Sequence, residues 1–295
     1  MTKIIHNADL NKLLDEPENE KIYLFMQYFK PKNNYRFNEL KQTMQFNSIN
    51  TSIDRIYLLN EKIYKLKDLG IKGQQKATIQ KVIQQNIKKR LSFKMLFEFI
   101  LKEKINGYIV IANTDIFFDY TIKNILKTGL SKQKAIYSLV RYEFNQKKLQ
   151  KCRLFGGGRA DSQDVWIIHS SQIPRQTRLF NFNFGVPGCD NKINYLFLIL
   201  GYKIYNDPFL IKTYHNHKSQ LRNYEGVVPG PHCYVVPTMP TKNHISQLCK
   251  YTHLLKDHKN IEEDVDYFNK MVYRDHEILI KFLKNKLESN TNFII

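Results

Sequence analysis

The stretch Gly107–Asp119, GYIVIANTDIFFD, constrains this chain more than any other. Tyr108–Ala112 is an apolar run rich in β-branched residues, the mark of a strand buried on both faces of a parallel sheet. It ends in the polar triplet Asn113-Thr114-Asp115. Open α/β sheets bind ligands there, at the carboxyl ends of their strands. An acidic residue in that place can hold a hard divalent cation, and the cation can hold a diphosphate. A competing reading is an Asp that caps a helix starting near Tyr120. The triplet alone leaves both open.

The rest of the chain alternates between strand and helix patterns. Ile22–Tyr28 reads as a first strand, followed by a helix around Tyr35–Asn47, and Arg55–Leu59 reads as a second strand ending in Asn60-Glu61. A short strand is expected between Thr78 and Ile83 or Ile87. Ser92 is a suitable N-cap for a helix reaching about Lys104, because Phe93, Leu96, Phe97 and Ile100 repeat at helical spacing. After Tyr108–Ala112 the pattern predicts a helix near Tyr120–Thr128 and a strand at Ala135–Val140. This βαβ order implies an α/β fold, a mostly parallel sheet with helices on both faces. No internal repeat or low-complexity linker interrupts it. The clearest break lies near Pro229–Pro240. It divides the chain into a polar lead (1–20), a main domain (21–240) and a charged C-terminal extension of helical spacing (241–295).

With 295 residues, 42% of them hydrophobic, the chain has enough apolar material for a proper core. No apolar run reaches the roughly 18 residues that would span a bilayer. The polar, acidic start lacks the pattern of a signal peptide. Cys152, Cys189, Cys233 and Cys249 are widely spaced with no C-x-x-C pair, which suits a reducing, cytoplasmic setting (the host's cytoplasm for a viral chain). The net charge of +19 admits nucleic acid or an anionic surface as partners. However, Lys far outnumbers Arg, the lysines are spread along the chain, and Asn, Ile, Tyr and Phe are abundant too. That joint excess reads as codon bias in an AT-rich genome, so nucleic acid ranks low as a partner.

Two weaker motifs add little alone. Gly156-Gly157-Gly158 lacks the Lys and spacing of a phosphate loop and reads as a surface loop. His215-Asn216-His217 places two histidines on one face of a strand, and an exposed edge with ordinary histidines is the plain expectation. A stronger cluster pairs Asp161–Trp166 (DSQDVW) with Phe184–Asn194 (FGVPGCDNKIN). Gly185, Pro187 and Gly188 form a tight turn that delivers Asp190 to the start of a helix, Asn191–Leu200. Asp190 is then either that helix's N-cap or a carboxylate aimed into a cleft.

Taken in order, four motifs resemble the nucleotide-diphospho-sugar glycosyltransferases of GT-A fold, in particular a GT-A-like group from bacteria and large DNA viruses. They are Ala112–Asp119 (ANTDIFFD), Ala160–Trp166 (ADSQDVW), Pro187–Asn191 (PGCDN) and Gly201–Tyr224 (GYKIYNDPFLIKTYHNHKSQLRNY). The resemblance runs from about Lys21 to Tyr224. It implies a sugar-nucleotide donor, a glycan, protein or small-molecule acceptor, and Mn²⁺ or Mg²⁺. Asn113, Thr114 and Asp115 would replace the family's D-x-D, with Asp115 as metal ligand and Asn113 in place of the first Asp. His215 or His217 would complete the metal site. Gln27, Tyr28 and Glu61 would cradle the nucleoside, while Arg90 and Arg222 would reach the diphosphate. Asp190 would be the acceptor-side base; Asp161, Asp164, Trp166 and Asn191 are acceptor-side or structural.

Such chemistry suits these residue types, since a cation and basic groups stabilise the departing diphosphate while a carboxylate takes the acceptor's proton. Two alternatives remain. A GT-A-fold nucleotidyltransferase would show a Gly-rich basic loop after the first strand, where this chain has QYFKPKNNYR. A metal-dependent nuclease or nucleic-acid-binding protein would show steeply salt-dependent DNA binding. A sugar-nucleotide binder without catalysis is a milder form of the first reading.

Overall fold

The computed structural model describes residues 20–144, 149, 152–155, 162–219, 226–235 and 237. In chain order it contains β1 (Ile22–Met26), α1 (Asn34–Ile49), β2 (Arg55–Asn60), α2 (Lys76–Gln80), β3 (Val82–Asn86), α3 (Phe93–Lys102) and β4 (Tyr108–Ala112). Then follow β5 (Ile116–Phe118), β6 (Ala135–Leu139), β7 (Tyr142–Glu143), β8 (Arg153–Leu154), β9 (Val165–His169), α4 (Cys189–Ile199), β10 (Lys203–Tyr205) and β11 (Thr213–His215). Residues 1–19 of the polar lead, the C-terminal extension, the Gly156–Gly158 loop, Asp161 and Arg222 lie outside the described residues.

Seven strands form the central sheet in the order β10-β6-β9-β4-β1-β2-β3. Pairs β1·β2, β1·β4, β2·β3 and β6·β10 are parallel, as the βαβ pattern predicts. The exception is β9, which enters antiparallel between β4 and β6. The α/β class therefore holds, with helices on both faces of a mostly parallel sheet.

Burial of β4 explains its composition. Tyr108, Val110 and Ala112 pack into one core layer with Phe37, Leu40 and Met44 of α1, while Ile109 and Ile111 face the other with α3 and α4. The α3 helix starts where the periodicity places it. Ser92 Oγ accepts from the Met95 N–H (3.2 Å), and Phe93, Leu96, Phe97 and Ile100 are its buried stripe. Each such side chain contributes about 1.5–3 kcal/mol on burial. Trp166 belongs to this layer too, fully buried with its ring edge-on to Phe93 and Phe184.

Local details depart from expectation in three places. Residues Lys76–Gln80 are a short helix, and the strand follows it at Val82–Asn86. Tyr120–Lys127 is a 3₁₀ helix capped by Asp119, whose carboxylate accepts from the Thr121 N–H (2.9 Å). The cap is therefore Asp119, and Asp115 is left for other work. Finally, a second sheet, β5-β11-β7-β8, lies beside the first and was not legible in the strand pattern.

Candidate functional site

The second sheet builds the site. Immediately after β4 the chain turns through Asn113–Asp115, with the Ile116 N–H bonded to the Asn113 carbonyl (3.0 Å), and enters β5. Antiparallel pairing of β5 with β11 sets His215 opposite Ile116, and the Asn216 N–H donates to the Asp115 carbonyl (2.8 Å). That register carries both histidines onto Asp115. His215 Nε2 stands 3.2 Å and His217 Nδ1 3.6 Å from Asp115 Oδ2. One ligand atom from each of the three residues lies within 4.8 Å of the others. The expected exposed edge with ordinary histidines is thus overturned: His215 is buried, and only Asn216 between them turns the other way, into α1.

These three donors could hold a divalent cation after small side-chain adjustments. With metal–ligand bonds of about 2.1 Å, neighbouring donors of an octahedral or tetrahedral ion stand roughly 3.0–3.4 Å apart. The far nitrogen of His215, Nδ1, faces the Glu143 carboxylate at 3.0 Å, an arrangement that orients a metal-binding imidazole. Glu143 is held in turn by Arg141 Nε (3.0 Å), and Arg141 Nη1 also pairs with Asp164. Electrostatics follow from this packing. Burial opposes ionisation of Asp115, but His215 and Arg36 overcome it and hold its carboxyl well below the usual range. Burial would lower His215, yet Asp115 and Glu143 raise it to about 9. His217 is lowered by burial and by Arg36.

Two clefts meet here. The larger, about 820 Å³, runs along the carboxyl ends of β1, β2 and β4 and is bordered by Lys30, Lys32, Arg36, Glu61, Arg90 and Asn113. The smaller, about 290 Å³, contains Asp190, Asn191, Asp164, Gln163, His215 and His217. Asn113 and Gly185 border both.

Several expected donor-side residues shape the larger cleft rather than offer free groups to it. Tyr28 is fully buried, and its hydroxyl donates to the Asp68 carbonyl (2.7 Å). Gln27 clamps the loop before α3, accepting from the Leu91 N–H (3.0 Å) and donating to the Lys89 carbonyl (3.1 Å). Thr114 Oγ1 donates to the Gln27 carbonyl, tying β4's end to β1's. Arg90 pins residues 184 and 185 through their carbonyls, at 3.1 and 2.9 Å. Glu61 is exposed at the rim.

On the other side, the turn before α4 depends on Gly188. Its φ is +82°, and a Cβ there would lie 2.8 Å from the Val228 carbonyl oxygen. Gly188 is the N-cap of α4, so the capping reading of Asp190 is corrected: Asp190 sits in the first turn, and its Oδ2 accepts from the Gln163 N–H (3.3 Å). Burial and the nearby Asp164 raise its carboxyl from 3.8 to about 7. Asp164 itself is engaged by Arg141 and by Asn113 Nδ2 (2.6 Å), which gives it a structural part. Asn191 is buried, its Nδ2 without a partner among the described residues, and Trp166 is fully buried in the core.

Sequence reasoning missed Arg36, Glu39, Arg141 and Glu143. The only local signal was an Arg three residues after a helix N-cap, directly downstream of β1, in a chain that otherwise favours Lys.

No family model and no curated protein matches this chain. Among solved structures, it is similar to GalNAc-T7 with UDP, GalNAc and Mn²⁺ at 10% identity and a TM-score of 0.42, covering 67% of this chain. It spans only 44% of the GalNAc-T7 chain. The galactosyltransferase LgtC, in complex with donor and acceptor sugar analogs, gives 12% identity and a TM-score of 0.38, with 66% of this chain and 87% of that one covered. A Bacillus anthracis protein described as a glucose-1-phosphate thymidylyltransferase, in complex with sucrose, gives 9% and 0.36, covering 63% and 86%. These likenesses are remote, and the functional reading rests on this chain's own residues.

Proposed function

We propose that this protein is a GT-A-type glycosyltransferase that moves a sugar from a nucleotide-diphosphate donor to an acceptor hydroxyl with the help of Mn²⁺ or Mg²⁺. The observation that carries the reading is the meeting of Asp115, His215 and His217 at the junction of a cation-lined cleft and a cleft holding a carboxylate of raised pKa. Two imidazoles beside one carboxylate favour Mn²⁺ over Mg²⁺, which prefers all-oxygen sites.

In this reading the donor's nucleotide lies in the larger cleft and its sugar points past Asn113 and Gly185 into the smaller. The bound cation would neutralise charge on the departing diphosphate. Asp190 accepts the acceptor hydroxyl's proton as its oxygen bonds to the anomeric carbon. The bond from that carbon to the diphosphate oxygen breaks, and the electron pair leaves with the nucleoside diphosphate. A carboxylate of pKa near 7 is well matched to that transfer at neutral pH. Arg141 and Glu143 position His215, and Asn113 positions Asp164.

Thermal stabilisation and hydrolysis with UDP-, GDP- and dTDP-sugars, with and without Mn²⁺, test the proposal. A metal-dependent response to one nucleotide, lost in Asp115→Ala, is the expected result. Turnover of a nucleoside triphosphate with a sugar 1-phosphate, and of no sugar nucleotide, would instead identify a nucleotidyltransferase. No nucleotide response alongside salt-sensitive DNA binding would replace the reading with the nuclease.

A further inference from the structure

Arg36 stands in the first turn of α1, where the Asn33 side chain caps the helix by accepting from the Arg36 N–H (3.0 Å). Its side chain is almost wholly enclosed, yet it borders the larger cleft. Nη1 donates to Glu39 Oε2 (3.1 Å) and to the Asn216 carbonyl (3.3 Å), and Nη2 donates to Asp115 Oδ2. Glu39 is fixed in place by the Ser219 N–H and hydroxyl, both at 2.8 Å. A guanidinium carries five N–H donors. These contacts use three, so Nε–H and one Nη2–H have no partner among the described residues.

The oxygen that Arg36 holds is the one both histidines approach, Asp115 Oδ2. A cation ligated by both histidines and Asp115 Oδ2 shares that oxygen with a guanidinium, and two positive charges on one carboxylate oxygen repel. With Asn113 neutral, Asp115 has a single negative charge to divide between them. Glu39 keeps Arg36 at the cleft wall when its grip on Asp115 weakens. A diphosphate entering the cleft brings the negative charge that both cations need, and a guanidinium suits phosphate oxygens geometrically.

We infer that Arg36 is the counter-ion of Asp115 before a cation binds and a ligand of the donor's diphosphate afterwards. Metal alone and metal with nucleotide then sense this residue with opposite signs. The inference rests on the transferase reading for its second half only.

The test measures Mn²⁺ binding by electron paramagnetic resonance, and UDP, GDP and dTDP binding by calorimetry at saturating Mn²⁺, for wild type, Arg36→Met and Arg36→Lys. Arg36→Met is expected to bind Mn²⁺ alone on the order of tenfold tighter, because a like charge has gone. The same variant is expected to bind the nucleotide on the order of tenfold more weakly, having lost a charge-assisted contact. Arg36→Lys keeps the charge without the planar fork, so its Mn²⁺ affinity stays near wild type and its nucleotide affinity falls between the two. Thermal melts confirm that the variants fold. Parallel loss of both affinities in Arg36→Met, or an unchanged Mn²⁺ affinity, would overturn the inference while leaving the transferase reading standing. Wild type that binds Mn²⁺ but none of UDP, GDP and dTDP would overturn the second half together with the transferase reading. Absence of Mn²⁺ binding in wild type overturns both.

Discussion

Asp190→Asn isolates the most unusual electrostatic feature of the site. Burial, reinforced by Asp164, raises the Asp190 carboxyl from 3.8 to about 7. An unfolded chain ionises this group near its ordinary value, so between about pH 4 and 7 the native protein holds a proton that the unfolded one has lost. Stability must then fall as pH rises through that window, by at most about 1.4 kcal/mol per pH unit, and flatten outside it. Carried across the whole window, that slope sets a ceiling of about 4 kcal/mol; solvent in the adjoining cleft reduces it to about 2 kcal/mol. Asn keeps the shape and an oxygen for the Gln163 N–H, now 3.3 Å from the carboxylate, but cannot ionise. Urea unfolding of both proteins at half-unit steps from pH 4 to 8 should show the variant gaining on wild type by about 2 kcal/mol across the window. Titrations of groups that do not interact with Asp190 cancel in the difference. Parallel curves, separated by a constant amount at every pH, would refute the argument. In catalysis the same group predicts a transfer rate that falls below about pH 7 in wild type, and a loss of roughly 10²–10⁴-fold in the variant.

Other substitutions separate scaffold from site. Glu143→Gln keeps an acceptor near His215 Nδ1 but loses the charge, and should weaken Mn²⁺ binding by about 10–100-fold with little change in melting temperature. Gly188→Ala forces a Cβ against the Val228 carbonyl at a positive φ, and should cost about 1–3 kcal/mol in urea unfolding; an unchanged midpoint would mean the turn has slack. Trp166→Ala should cost about 3–5 kcal/mol as a core cavity while leaving Mn²⁺ affinity unaltered. A selective loss of acceptor binding at full stability would restore Trp166 to the acceptor side.

Strand and helix positions were legible where residue pattern and local environment agree. The β4 run is apolar throughout because neighbours cover both faces, and the α3 stripe repeats every three or four residues because one face meets the sheet. Asp115 was legible for a related reason: it is the first carboxylate after a buried strand, at the end of the sheet where ligands bind. The antiparallel entry of β9 was not, since strand composition carries no direction. The backbone partners that Tyr28 and Gln27 find were not legible either, because position at a strand end says nothing about which distant loop a side chain meets.

From its sequence alone, this protein's class, most strands of its central sheet and the carboxylate at its centre follow, all of them consequences of neighbours within a few residues. The assembled site needed the tertiary structure. Only the pairing of β5 with β11 puts His215 and His217 on Asp115, and only the docking of α1 brings Arg36 to that carboxylate from 79 positions away. Periodicity reports which face of an element is buried, whereas strand register and helix docking decide which distant charges share one oxygen.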